Sequence, residues 1–542
     1  MTEQQALLKK AITKSAAALG SAADFIRTLQ GWRRWLAAFF AGIAAALALA
    51  PVYALPLLVV GFSVLIVLLD KSAASARPLR SAFFIGWLFG FGYFLAGIYW
   101  MAFSFFVQAD QFAWMAPFAV TGMPAFLALF TGAAALLSVR FWRDGWARIV
   151  LFAAVWSVFE YLRGHILTGL PWNLTGQALA GSAIGAQTAA WYGVYGLSLI
   201  TVLLASAPAA GLSDIAGRPL GPRQRLMGVA VMLGGTALLF ALGAARLAAP
   251  DPAPDGKHFV RIVQPNIPQR EKIDPDYWGR NFHRQLELSK GAAPKDGRVF
   301  VIWPENGAPL LNEAETALGL LSEELPENAI LIAGAVRRAT GDDGVLRYYN
   351  SIQTFAQTPK GRRAVGAYDK HHLVPFGEYL PFYGLLNAVG LAQLAPYGDS
   401  GFAAGPGPRV MNAGGPSFAP LICYEVIFPG ALYPKGERPE WLLTVTNDAW
   451  FGDTSGPRQH LDQARLRSIE TGLPMARSAN TGISAMVDAK GRILQRVPLY
   501  ESGKIESALP APLPPTLYER LGDWVYAVMV FVLLGWVISR RK

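Results

Sequence analysis

Between residues 35 and 245 the sequence runs apolar for 15 to 27 residues at a time, again and again, and no ordinary globular core absorbs so many such runs. A bilayer does: an apolar helix of about 17–25 residues crosses its hydrocarbon layer. Inside that layer only helices and closed barrels satisfy their own backbone. Spans are expected at 35–54, 55–69, 81–106, 113–139, 148–162, 188–210 and 226–245. An eighth is expected at 522–538, with Arg540, Arg541 and Lys542 directly behind it. The run 35–69 could form one broken hairpin, and 148–162 is short. Only 16% of the residues are charged, against about 25% in soluble domains.

The net charge of +11 invites a nucleic-acid partner, but its distribution excludes one. Residues 251–522 hold 28 Lys and Arg against 29 Asp and Glu, so the surplus lies around the spans. Lys9, Lys10, Lys14, Arg27, Arg33 and Arg34 precede the first span, and Lys71, Arg77 and Arg80 follow on the same side. Arg140, Arg143 and Arg148, then Arg218, Arg223 and Arg225, continue the alternation. By the positive-inside rule both termini are cytoplasmic and the long segment 246–521 lies on the outer face. A cleavable signal is not expected, because about 34 polar and mixed residues precede the first apolar run.

Four parts follow: a cytoplasmic tail (1–34), a seven-span bundle (35–247), an extramembrane domain (248–518), and a final span with its basic tail (519–542). The Pro-rich stretches "AAPDPAPDG" (248–256) and "LPAPLPPTLYER" (509–520) read as stiff tethers. Within the domain, short apolar runs such as "HFVRIVQPNI", "RVFVIWPENG" and "SFAPLICYE" alternate with helical periodicity near 276–290, 312–325 and 457–472. The fold expected is a polytopic α-helical membrane protein of about eight spans, carrying an extramembrane α/β sandwich whose helices cover apolar sheets.

Polar residues that end buried strands are where α/β folds place their chemistry. Three such ends stand out: Glu305 in "VIWPENGAP", Lys370 with Glu378 in "YDKHHLVPFGEYLP", and Cys423 with Glu425 in "LICYEVIFP". Cys423 is the one cysteine in 542 residues, which excludes an intramolecular disulfide and any multi-thiolate metal site. It is then either a small buried hydrophobe or a nucleophile needing a base and an oxyanion stabiliser from elsewhere. A carboxylate to take the thiol proton, a thiolate to attack a carbonyl and a fixed ammonium to hold the oxyanion make a workable acyl-transfer set. His371 and His372 are adjacent on the chain, so at most one could approach Cys423. Six scattered histidines offer no i, i+4 pair, so neither a metal nor another cofactor is expected. Trp450 and Asn447, at another strand end, are candidates for substrate binding, although an aromatic there is as often core. Glu160 and Arg163 read as a structural ion pair at a span end, with a lipid headgroup contact as the alternative.

The Glu305, Lys370 and Cys423 motifs resemble those of the nitrilase (carbon–nitrogen hydrolase) superfamily. With the spans, "FEYLRGHILTGLPWN" (159–173) and "TNDAWFGDTSGPRQHLDQARLRSIETGLP" (446–474), nearly the whole chain is similar to the apolipoprotein N-acyltransferase family of bacterial inner membranes. The resemblance implies a nitrilase-like αββα sandwich on the periplasmic side, with Glu305 as general base, Lys370 as oxyanion stabiliser and Cys423 as nucleophile. Glu378, Tyr424 and Glu425 would support that site. It implies a phospholipid acyl donor, phosphatidylethanolamine being expected, a thioester on Cys423, and an S-diacylglyceryl apolipoprotein as acceptor. The apolar stretch 381–407 would be a membrane-facing lid. The chain departs from the family pattern at Leu473, where an arginine is common, and at Ile273, where a tryptophan is common. Two other readings remain: a membrane-anchored amidase that gives the acyl group to water, and a transporter with an inert cap.

Overall fold

The computed structural model describes residues 14, 17–18, 20–212, 221–381 and 401–540. The chain divides into two compact units, one formed by Met1–Ala249 with Thr516–Lys542 and the other by Pro250–Pro515.

In the first unit the helices are α1 (Gly31–Ala46), α2 (Leu55–Ala73), α3 (Pro78–Ile98), α4 (Ala116–Arg140), α5 (Trp146–His165), α6 (Ala189–Ser206) and α7 (Pro222–Ala248), with Trp524–Ser539 closing the chain. Among the described residues, five stretches are helical, long and apolar enough to cross a bilayer: Leu55–Ala73, Pro78–Phe106, Ala109–Arg140, Ala189–Gly211 and Pro222–Ala248. The other three expected spans are also helical, but differ in kind. Helix α1 and the closing helix have 16 residues each, about 24 Å at 1.5 Å per residue. Helix α5 has 20 residues but buries Arg148, Glu160 and Arg163.

Glycine sets how closely these helices approach, as is usual where no water drives them together. A Cβ at Gly42 of α1 would lie 1.9 Å from the Phe89 carbonyl oxygen of α3, and one at Gly92 would lie 2.1 Å from that of Phe39. Glu160 and Arg163 have a specific task in the irregular segment that follows α5. Arg163 donates to the carbonyls of Leu170 (2.6 Å) and Trp172 (2.7 Å), while Glu160 accepts from the backbone (2.9 Å) and hydroxyl (2.6 Å) of Thr175. Leu167, Thr168 and Asn173 there have positive φ. Side chains from the helix thus supply the partners that this non-helical backbone cannot supply itself.

The second unit holds two sheets. The strands are β1 (His258–Gln264), β2 (Arg298–Trp303), β3 (Ala329–Thr340), β4 (Leu346–Thr358), β5 (Gly361–Asp369), β6 (Phe418–Ile422), β7 (Trp441–Thr446), β8 (Met475–Ala479), β9 (Ser484–Val487), β10 (Ile493–Val497) and β11 (Gly503–Ala508). One sheet runs β11-β1-β2-β3-β4-β5 and the other β10-β9-β8-β7-β6. The triplets β1-β2-β3 and β6-β7-β8 are parallel, and antiparallel strands flank them. Side chains alternate across a strand, and here they sort cleanly. Val260, Ile262, Phe300, Ile302, Ile330 and Ile332 meet Phe418, Trp441, Leu443 and Val445 of the second sheet. Val299, Val301, Trp303, Ala329 and Leu331 face the other way, onto Leu286, Leu318 and Leu321. Those leucines belong to α9 (Trp278–Ser289) and α10 (Glu315–Glu324), which follow the short helix α8 (Gln269–Ile273). Helix α11 (Gly456–Thr471) follows β7. Both faces of the parallel strands are covered, which is why β2, β6, β7 and the first half of β3 read as nearly continuous apolar runs.

Candidate active site

The ends of β2, β5 and β6 converge. Pro304 has no N–H to continue β2, and the next residue is Glu305. Its turn is fixed by β3: Gly307 and Ala308 donate from their backbones to the Gly334 carbonyl (2.8 and 3.3 Å). A Cβ at Gly334 would stand 2.4 Å from the Pro304 carbonyl oxygen and 2.6 Å from the Glu305 Cα, so only glycine lets the two backbones meet. Lys370 directly follows β5, with its N–H on the Asn350 carbonyl of β4 (2.8 Å). Cys423 directly follows β6 in a left-handed conformation (φ 50°) and opens a tight turn over Cys423–Ile427.

Lys370 Nζ lies 2.7 Å from Glu378 Oε2 and 3.9 Å from Glu305 Oε1. Asn350 Nδ2 donates to both carboxylates, at 2.7 Å each. Glu378 also accepts from Val374 N (2.8 Å). A second amine is present: Lys272, at the end of α8, is buried and donates to the Glu305 carbonyl. Lys370 is 1% exposed and Glu305 6%, so these charges interact with little screening.

Burial raises the Glu305 carboxyl above the usual range, partly opposed by Lys370. Burial pulls the Lys370 ammonium down, but Glu378 and Glu305 outweigh it and hold the group above the ordinary lysine value. Burial and the Glu305 charge raise the Cys423 thiol, against the pull of Lys370. Burial lowers Lys272 to about 8. At rest the cluster therefore holds a neutral thiol beside a carboxylate with heightened proton affinity and a permanent ammonium. A carboxylate, a thiol and an ammonium in one cluster are the groups that an acyl transfer through a nucleophile can use.

Glu425 takes a different position from Glu378. It accepts from Tyr368 Oη (2.8 Å), His371 N (2.9 Å) and Ile422 N (2.8 Å), and its Oε1 lies 2.7 Å from His371 Nδ1. Those bonds outweigh burial and lower its pKa. Glu425 thus ties the stretch after Lys370 to the strand end before Cys423. His372 stacks on Phe428 with centroids 3.9 Å apart, and the half-buried Tyr424 ring packs edge-on against both.

Asn447 lies buried among amides, donating to Gln269 Oε1 (2.7 Å) and accepting from Asn480 Nδ2 (3.1 Å). Trp450 is half-buried in the turn Asp448–Phe451. Leu473 is buried, and Ile273 is half-exposed beside Lys272. Residues 382–400 of the expected lid lie outside the described residues. No cluster of His, Cys, Asp and Glu suited to a metal occurs among the described residues.

Sequence reasoning missed Lys272, Asn350 and a buried set behind Cys423. There His460 Nε2 meets the Cys423 carbonyl (3.2 Å), His460 Nδ1 meets Asp448 Oδ1 (2.9 Å), and Arg477 donates to Asp448 Oδ2 (2.8 Å). Its one signal in the chain is Asp448 and His460 flanking the start of a helix whose inward face is polar.

The family model described as apolipoprotein N-acyltransferase N-terminal domain matches residues 41–207, and that described as carbon-nitrogen hydrolase matches 259–512. The apolipoprotein N-acyltransferase of Rhodopseudomonas palustris is 40% identical over 523 residues, covering 94% of this chain and 96% of its own. That of Bradyrhizobium diazoefficiens is 40% identical, covering 94% and 96%. That of Allorhizobium ampelinum is 41% identical, covering 95% and 97%. A crystal structure of a CN-hydrolase superfamily protein from Xanthomonas campestris matches at 18% identity and a TM-score of 0.30, covering 50% of this chain and 96% of its own.

Proposed function

The chain belongs to the apolipoprotein N-acyltransferase family, and from that premise we propose how its residues carry out the reaction. The protein is an acyltransferase of lipoprotein maturation. It moves an acyl chain to the N-terminal amine of an apolipoprotein through a cysteine thioester.

Glu305 takes the proton from Cys423 Sγ, and the thiolate attacks the ester carbonyl of a membrane phospholipid. Lys370 holds the tetrahedral oxyanion, with Glu378 and Asn350 fixing the ammonium and the base relative to one another. Glu305 returns the proton to the departing alkoxide, leaving a lysophospholipid and the Cys423 thioester. The amine of the diacylglyceryl-cysteine then attacks the thioester. Glu305 accepts the amine proton and passes it to the leaving Cys423 thiolate, which restores the resting enzyme. A thioester lies between ester and amide in reactivity, so one hard step becomes two easier ones. Phosphatidylethanolamine is the donor in this reading. All eight apolar segments span a bacterial inner membrane, with both termini cytoplasmic and Pro250–Pro515 periplasmic. Tyr424 and Trp450 border the acyl path.

The observation that carries the assignment of roles is Lys370 Nζ held between Glu378 and Glu305 at 2.7 and 3.9 Å. The test is the intact mass of the detergent-solubilised protein after incubation with phosphatidylethanolamine. The wild type should gain one acyl chain, labile to hydroxylamine, and Cys423→Ala should gain none. An adduct that persists in Cys423→Ala, or none in the folded wild type, overturns the assignment.

A further inference from the structure

A non-glycine residue in the left-handed region carries a conformational cost, and persists only when its surroundings over-determine it. Cys423 is such a residue. Before it, Ile422 N is held by Glu425 Oε2 at 2.8 Å, a contact within the same turn. After it, the Cys423 carbonyl is held by His460, 37 residues away on α11. His460 is fully buried, and its other nitrogen meets an Asp448–Arg477 pair. Asp448 Oδ1 stands 2.9 Å from His460 Nδ1, and Asp448 is fixed by Thr446 Oγ1 (3.0 Å) and Arg477 (2.8 Å).

We propose that His460 is a positioning residue for the nucleophile: its Nε2–H donates to the Cys423 carbonyl and locks the left-handed backbone that aims Sγ. This rests on the reading of Cys423 as nucleophile.

A carbonyl oxygen can only accept, so the contact at Nε2 is a hydrogen bond when that nitrogen carries the proton. Asp448 Oδ1, 2.9 Å from Nδ1, is an acceptor as well, so in that tautomer the donor that joins the carboxylate and the ring is Arg477 Nη2, which meets Asp448 Oδ2 and Nδ1. Arg477 reaches Nδ1 at 3.2 Å, where an unprotonated nitrogen accepts its N–H. Burial and Arg477 together lower the ring's pKa against the pull of Asp448, so the neutral ring prevails at neutral pH. Asp448, lowered to about 2 by Arg477 and His460 despite burial, stays ionised throughout. Through Nε2, His460 acts on the peptide that carries Sγ.

Two amide substitutions separate this role from simple packing. In His460→Gln the amide nitrogen falls where Nε2 stood and can still reach the Cys423 carbonyl. In His460→Asn it falls where Nδ1 stood, keeps the Asp448 contact and loses the reach. Single-turnover thioester formation is followed by mass at several phosphatidylethanolamine concentrations, with thermal unfolding confirming that each variant is folded. His460→Gln should stay within about threefold of wild type, and His460→Asn should fall at least tenfold in rate with an unchanged half-saturating lipid concentration. Equal losses in both variants, equal retention in both, or a loss that appears as weaker lipid binding overturns the proposal. A wild type that forms no adduct overturns instead the reading of Cys423 on which it rests. If His460→Asn does not fold, His460→Leu, which offers the Cys423 carbonyl no donor, should show the same fall in rate, and a wild-type rate there overturns the proposal.

Discussion

Charge at the site balances residue by residue. Glu305 and Glu378 contribute two negative charges, Lys370 and Lys272 two positive ones, and moving the thiol proton to Glu305 leaves the sum at zero. Lys272 is the member that can drop out, because burial lowers it to about 8. Its folded-state pKa is below its unfolded value. The unfolded chain therefore binds more protons between the two, and stability rises with pH across that window, from about 8 to the ordinary lysine value. Activity should move the opposite way. Above about pH 8 the cluster turns net negative and the thiolate is disfavoured, so thioester formation by the wild type should decline there. Lys272→Arg, which stays charged, should carry that decline to higher pH, and Lys272→Met should be slow throughout. A pH–rate profile of single-turnover acylation checks it, and an alkaline limb unmoved in Lys272→Arg would sink the idea. At this scale Glu305, Lys370 and Cys423 stand out in the sequence because each directly follows a strand or its closing proline, an apolar one for Glu305 and Cys423. Lys272, Asn350 and His460 do not, because each reaches the site across a tertiary contact to Glu305, Glu378 or Cys423 that no local pattern records.

Among elements, the β2–β3 pairing does more than hold the sheet. Gly334 lets β3 lie against the Pro304–Glu305 backbone, so the sheet itself sets where Glu305 stands. Gly334→Ala should leave the domain folded but displace Glu305, lowering thioester formation roughly tenfold, a shift of about 1.4 kcal/mol in the barrier. Gly319→Ala, on α10 with nothing within 4 Å of its new Cβ, should leave activity unchanged and add a few tenths of a kcal/mol or more through helix propensity. Comparable losses of activity in both would contradict this view. Strands such as "RVFVIW" were readable because alternate residues serve two different cores. The helices were less so. The apolar run of helix α5 is broken by Glu160 and Arg163, whose partners lie in the following irregular segment, so hydropathy alone does not say whether it spans.

For the molecule as a whole, Pro250–Pro515 interrupts a helical unit whose last part is Thr516–Lys542. The proposed orientation can be tested with the chain's own economy of cysteine. In a Cys423→Ala background, which leaves no thiol, Asp343→Cys in the exposed β3–β4 turn should react with a membrane-impermeant maleimide on intact spheroplasts. Arg143→Cys, between α4 and α5, should react only after the membrane is permeabilised. The reverse pattern would invert the topology. The two-unit division was foreshadowed by the Pro-rich tethers and the change from apolar runs to balanced charge.

The pairing of β1 with β11, in which Phe259 lies opposite Ala508, also sets a timetable. The first strand of this unit to be made finds its outer neighbour only when the last has been made. Arg261 and Glu506, which join across that pair, are 245 residues apart. At about 5–20 residues per second a ribosome needs some tens of seconds to cover that distance, and until then β1 is an open edge. The nascent protein therefore completes this sheet only as its closing helix is about to be synthesised, so the sheet that carries Glu305 and Lys370 at its strand ends is finished late.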